Sequence, residues 1–202
     1  MIYGRRAKWN KPHKTGPHRR LQLLEQTRDS KCRLCRLSDT TEGSVCVMGK
    51  GSPVSSIMIV GEAPGAAEER TGRPFCGRSG RLLDQILRKL GIQRHCYITN
   101  VVKCRPPRNR APTERETVAC CRYLAAEVRI IKPKCMVLLG NTARDAMGYH
   151  PKDIDRGIPL YTNHPLGNFN LMWTYHPAYA LRNPSAVRVI QNHLSWCVPF
   201  TS

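Results

Sequence analysis

The chain has 202 residues, 41% of them apolar, with 33 Lys or Arg against 14 Asp or Glu and a formal net charge of +19. That length and apolar content suit one domain with its own core, and the basic excess points to a polyanionic partner, because each phosphate neutralised releases condensed counterions. No run approaches the ~18 apolar residues of a membrane span, and the first residues lack the apolar stretch of a secretory signal, so an intracellular, cytoplasmic protein is expected.

Residues 1–20 carry seven Lys or Arg and no acid, and they read as a basic, disordered arm that seeks phosphates. Residues 21–202 read as a single domain. LQLLEQT (21–27) is a short helix leading to Cys32 and Cys35. SSIMIV (55–60) is an apolar run ending at GEAPG, a buried strand followed by a tight turn. SGRLLDQILRKLG (79–91) places Leu82, Leu83, Ile86, Leu87 and Leu90 on one helical face, with Gly91 as its stop.

CYITNVV (96–102) is β-branched and aromatic, hence a second strand. Thr113 and Glu116 form a T-x-x-E capping box opening a helix that runs to about Ile131. CMVLLG (135–140) is a third strand, NTARDAM (141–147) a short helix, NLMWTY (170–175) a fourth strand and NPSAVRVIQNHLSW (183–196) a last helix. Strands alternating with helices predict a three-layer α/β/α fold with a central four-stranded parallel sheet. Ligands of such sheets bind beyond the carboxyl ends of the strands. GEAPG, TNVVKCRPPRN, GNTA and HPAYALRNP all fall there.

Ten cysteines are many for an intracellular protein, where disulfides do not persist. Cys32-x-x-Cys35 has metal-ligand spacing, and Cys104 with Cys120 or Cys121 can complete a set of four thiolates for either Zn²⁺ or a [4Fe–4S] cluster. Cys46, Cys76, Cys96, Cys135 and Cys197 read as small core residues.

Taken together, CRLC (32–35), GEAPGAAEERTGRPFCGRSGRLLD (61–84), YITNVVKCRPPRNRAPT (97–113) with Cys120, and TYHPAYALRNP (174–184) resemble the family 4 uracil-DNA glycosylases, the iron–sulfur branch of that superfamily. The match spans roughly residues 30–196, in the family's order. The resemblance implies a monofunctional DNA repair enzyme that hydrolyses the N-glycosidic bond of flipped-out deoxyuridine and leaves an abasic site. It implies Cys32, Cys35, Cys104 and Cys120 as ligands of a structural [4Fe–4S] cluster, preferring Cys120 to Cys121.

By the same resemblance, His176 contacts uracil O2, Asn100 bonds O4 and N3, and Phe75 stacks on the base. Glu62 and Glu68 are acids of the catalytic set; Ala63 and Asn109 belong to the substrate-binding set. Arg105, Arg108, Arg110 and Arg182 are expected to meet phosphates, with Tyr179 and Leu181 as a wedge filling the gap left by the flipped base. Glu69 reads as solvated helix-face charge. The expected partner is uracil-containing DNA, single- or double-stranded, bound by a monomer.

Two positions depart from the family pattern, Cys76 in place of valine and Arg36 in place of proline. The loop RPPRNRAP holds no histidine, which favours turnover over the covalent capture seen in one branch. The competing readings are a non-catalytic DNA-binding module of the same fold, stapled by an iron–sulfur cluster or zinc, and an iron–sulfur redox sensor.

Overall fold

A computed structural model describes residues 16–29, 31–38 and 46–201 of the chain. Its sheet has five strands, β1 (Ile57–Gly61), β2 (Cys96–Asn100), β3 (Cys135–Leu139), β4 (Leu160–His164) and β5 (Gly167–Thr174), in the spatial order β2-β1-β3-β5-β4. β2, β1, β3 and β5 are mutually parallel, which is the sheet expected from the sequence. The fifth strand, β4, pairs antiparallel with β5 at the edge through Tyr161↔Asn170 and Thr162↔Phe169. It escaped the sequence reading because it carries no apolar run. LYTNH is exposed over most of its length, as a one-sided edge strand can be.

The helices are α1 (Pro17–Thr27), α2 (Ala66–Thr71), α3 (Arg78–Lys89), α4 (Glu114–Ile131), α5 (Asn141–Ala146), α6 (Pro177–Ala180) and α7 (Ser185–Ser195). Helix α1 begins at Pro17, four residues before the predicted start, with the proline in its first turn, where its missing N–H costs nothing. The greater part of the basic arm, residues 1–15, lies outside the described residues.

Alternation along the strands builds two cores. Met58, Val60, Met136, Leu138 and Leu171 face α4, which contributes Tyr123, Leu124, Val128 and Ile131. Ile57, Ile59, Val137 and Leu139 face the other way, onto Leu83, Ile86 and Leu87 of α3 and Ile190 and Leu194 of α7. The three layers of the α/β/α reading are therefore present. The capping box of α4 forms as predicted: Thr113 Oγ1 accepts from Glu116 N at 3.3 Å, and Glu116 Oε2 accepts from Thr113 N at 2.7 Å. A cap of this kind is worth ~1 kcal/mol.

One feature of the core has no apolar rationale. Lys103 is fully buried, and its Nζ donates to Thr99 Oγ1, the Asn100 carbonyl and Glu127 Oε2, each at 2.7 Å. Glu127, equally buried on α4, also accepts from Thr99 Oγ1 at 2.8 Å, Gly49 N at 2.9 Å and Tyr97 Oη at 3.1 Å. Every proton of the ammonium and both carboxylate oxygens are thus engaged, the condition under which a buried ion pair is tolerated. The pair ties the end of β2 to α4 directly beneath Asn100.

Candidate active site

The carboxyl ends of the parallel strands converge on a cleft of about 400 Å³. β1 and β3 are neighbours there, yet the chain passes from β1 to β2 on one side and to β3 on the other, the switch point at which doubly wound sheets bind ligands. Glu62, Ala63 and Glu68 reach the cleft from the β1 end, Asn100 and Asn109 from the β2 end, and His176, Tyr179 and Arg182 from the β5 end, with Phe75 from the loop after α2. All seven residues predicted for catalysis and base binding line this one cleft.

Phe75 has the left-handed φ of 51°, unusual for an aromatic residue, and is buried. The conformation is held by its neighbours. Lys50 Nζ donates to the Phe75 carbonyl at 3.2 Å, while Glu68 Oε1 accepts from Cys76 N at 2.9 Å and Gly77 N at 2.7 Å. Glu68 Oε2 accepts from Gly65 N at 3.1 Å. Burial alone pushes the Glu68 pKa up, but these backbone N–H groups outweigh it and hold the carboxyl below its usual range. Both oxygens of Glu68 are therefore employed in closing the loop that presents Phe75.

Gly61 makes the floor. A Cβ there would stand 2.4 Å from Phe75 Cζ and 2.7 Å from Asn100 Oδ1, so only glycine lets the ring and the amide approach each other. Asn100 is 2% exposed, and its Oδ1 is buried without a hydrogen-bond partner. A buried amide oxygen left unpaired costs ~1–3 kcal/mol, which a ligand donor entering the cleft recovers.

His176 caps α6, its Nδ1 accepting from Ala178 N at 3.1 Å. A backbone N–H can only donate, so the neutral ring carries its proton on Nε2. Protein encloses the ring on most sides although one edge meets the cleft, and this burial pushes its pKa down to about 4 despite the opposing charge of Glu68. The ring lies 6.0 Å from that of Phe75, centroid to centroid. At neutral pH the cleft thus contains an uncharged imidazole with an N–H donor, an aromatic face and an unpaired amide.

Glu62 is held by a residue outside the predicted set: Thr142 of α5 donates to its Oε2 at 2.5 Å. Nothing in the sequence links positions 62 and 142; the contact exists because β1 and β3 are adjacent. Asn109, at φ 57°, accepts from Arg105 Nε with its Oδ1 at 2.8 Å, which leaves both protons of its NH₂ and one lone pair of the oxygen for a ligand.

The predicted phosphate-binding arginines divide. Arg105 pairs with Glu69 at 3.0 Å, and Arg110 makes a two-pronged pair with Glu116 at 2.7 and 2.8 Å that holds Glu116 at about 2. Both brace the Arg105–Arg110 loop, Arg105 from a half-buried position and Arg110 from an exposed one, and Glu69 is a half-buried partner rather than the solvated charge expected. Arg108 and Arg182 are exposed. Tyr179 and Leu181 stand about 40% exposed beside the cleft, Tyr179 stacked on Tyr175 at 4.8 Å.

Across the β2 end from the cleft, Cys32, Cys35, Cys104 and Cys120 line one small cavity together with Leu37, Cys46 and Tyr123. Cys121 is not among its lining residues, and Cys120 Sγ accepts from Lys103 N at 3.3 Å. Among the described residues, no three His, Cys, Asp or Glu side chains are grouped as ligands of a single metal ion. No helix among them is long and apolar enough to cross a membrane.

Residues 48–195 match the model of the uracil DNA glycosylase superfamily. The chain is 42% identical over 172 residues to a type-4 uracil-DNA glycosylase of Thermotoga maritima, covering 82% of this chain and 87% of that protein. It is 40% identical over 181 residues to a type-4 uracil-DNA glycosylase of Sulfurisphaera tokodaii, covering 85% and 81%. A type-5 uracil-DNA glycosylase of Thermus thermophilus is 35% identical over 120 residues, about half of either chain.

Proposed function

The chain belongs to the uracil-DNA glycosylase superfamily, and to its type-4 group, and from the contents of its cleft we propose that it releases uracil from DNA by hydrolysing the N-glycosidic bond. The observation that carries the proposal is the unpaired Asn100 Oδ1, buried against Phe75 and opposite His176.

A base stacked in duplex DNA cannot reach such a cleft, so the nucleotide is flipped out of the helix. Uracil then lies on Phe75. Asn100 accepts from N3–H with Oδ1 and donates to O4 with its NH₂, whereas cytosine would oppose an amino group to that NH₂ and leave N3 without a proton to give. The side chain of Ala63 lines the base pocket without polar chemistry, and Asn109 adds its NH₂.

As the C1′–N1 bond breaks, its electron pair moves onto the base, and charge collects on N1 and O2. The His176 Nε2–H donates to O2, and the bond strengthens as that charge grows, which lowers the barrier rather than merely tightening binding. The oxygen of a water molecule bonds to C1′, and its proton passes to Glu62, whose charge also steadies the sugar cation. Glu68 serves the same reaction indirectly, by holding Phe75. Arg108, Arg182 and the exposed Tyr179 and Leu181 face the DNA.

We assign Cys32, Cys35, Cys104 and Cys120 to a [4Fe–4S] cluster. The four cysteines line one cavity, and four thiolates are the ligand set that such a cluster takes, one to each iron. When bound, the cluster supplies structural cross-linking, since glycosidic hydrolysis transfers no electrons. Anaerobically purified protein is expected to contain about four irons and four sulfides per chain, and Cys104→Ser to lose most of both. Stoichiometric zinc in their place would reject the cluster.

The activity itself is tested with an oligonucleotide carrying one uracil, paired with G, paired with A or single-stranded. Many equivalents of free uracil per protein are expected, with alkali-labile strands as the other product. Binding without release by cluster-loaded protein would favour the non-catalytic module. A second test concerns the floor of the pocket. Gly61→Ala is expected to cost ~1–3 kcal/mol of stability by overpacking and to depress uracil release far more than its melting point would explain. Wild-type release by this variant would show that the ring and amide need not touch the floor.

A further inference from the structure

The turn from β3 into α5 lies outside the predicted base-binding residues, yet it touches both His176, proposed to act at the departing base, and Glu62, proposed to act at the sugar. Gly140 adopts φ 84°, and a Cβ there would stand 3.3 Å from His176 Cβ, so the turn packs closely on the histidine. Two residues later the half-buried Thr142 donates from Oγ1 to Glu62 Oε2 at 2.5 Å. The strands that deliver the two residues are adjacent and in register, Val60 pairing with Leu138.

Glu62 has three rotatable bonds and no ion pair among the described residues. In a half-open cleft of this volume its carboxylate could adopt several rotamers, only some of which address a water molecule on the sugar side. An ionised carboxylate only accepts, so the hydroxyl of Thr142 must be the donor. The bond occupies one lone pair of Oε2 and leaves Oε1 to take a proton. Resting on the reading that Glu62 activates water, we propose that Thr142 is a positioning residue that fixes the Glu62 carboxylate in its reactive orientation, making the β3–α5 turn part of the catalytic apparatus.

Thr142→Val keeps the shape and removes the donor. It is expected to lower single-turnover uracil release roughly 10- to 100-fold, the scale of a small misplacement of a reacting group. Affinity for uracil-containing DNA should not change measurably, and Thr142→Ser should restore most of the rate. The decisive readout is a double-mutant cycle. In a Glu62→Gln background Thr142→Val should cost nothing further, because a residue acting only through Glu62 has nothing left to position. Wild-type rates from Thr142→Val, or the same loss in both backgrounds, would overturn the inference while leaving the glycosylase reading intact. Absence of uracil release by the cluster-loaded wild-type protein would instead sink that reading and this inference with it.

Discussion

His176→Ala is expected to slow single-turnover uracil release on the order of 10²–10³-fold, the usual consequence of removing one donor from a developing oxyanion. Affinity for uracil-containing DNA should persist, because the lost bond is strong only when O2 carries charge. The direction of the pKa shift sharpens this expectation. Burial holds His176 neutral down to about pH 4, so its protonation should leave the rate unaffected between neutrality and pH 5. Stability carries the same signature with a definite sign. Between the ordinary value of 6.5 and about 4, the unfolded chain binds a proton that the folded chain refuses, so acidification through this window destabilises the fold. A histidine acting as a cation would instead lose activity as pH rises through neutrality. Unchanged release from His176→Ala would remove the residue from the mechanism and revive the binding-module reading.

Glu127→Ala should be the most damaging single change to stability. It strands the Lys103 ammonium in a fully buried site, and breaking a buried pair in this way costs ~3–5 kcal/mol. Against a typical domain stability of about 5–15 kcal/mol, that loss is a large fraction of the whole. Replacing both partners, as in Lys103→Met with Glu127→Leu, should recover much of it by removing the charges together. Urea unfolding of the cluster-loaded variants reads both effects. The double variant separates stability from function, because it folds while lacking the Nζ bond to the Asn100 carbonyl. A Glu127→Ala protein as stable as wild type would mean that the lysine finds water or another partner, and that the network is dispensable.

These predictions divide along what the sequence could reveal. The parallel strands were readable as apolar runs because both faces of the sheet are covered, and α4 was readable to its ends because Thr113 and Glu116 mark its start. β4 was not, since an exposed edge strand needs no apolar signature. Asn100, Phe75 and His176 stood out through ordered motifs, and the cleft does gather them. Lys103 sits between two valines and a cysteine, where a lone lysine reads as a surface residue; only the fold brings Glu127 to it. Thr142 is equally silent, because its partner lies 80 positions away, just past the end of β1. The arginines of the RPPRNR loop read alike in sequence, and which of them form ion pairs depends on where Glu69 and Glu116 come to lie.

A crystal structure of the anaerobically prepared protein with free uracil tests the central claim most directly. The account predicts the base lying on Phe75, its N3 and O4 paired with the Asn100 amide and its O2 within hydrogen-bond reach of His176 Nε2. Uracil bound elsewhere, or in this cleft with its O2 turned away from His176, would contradict it.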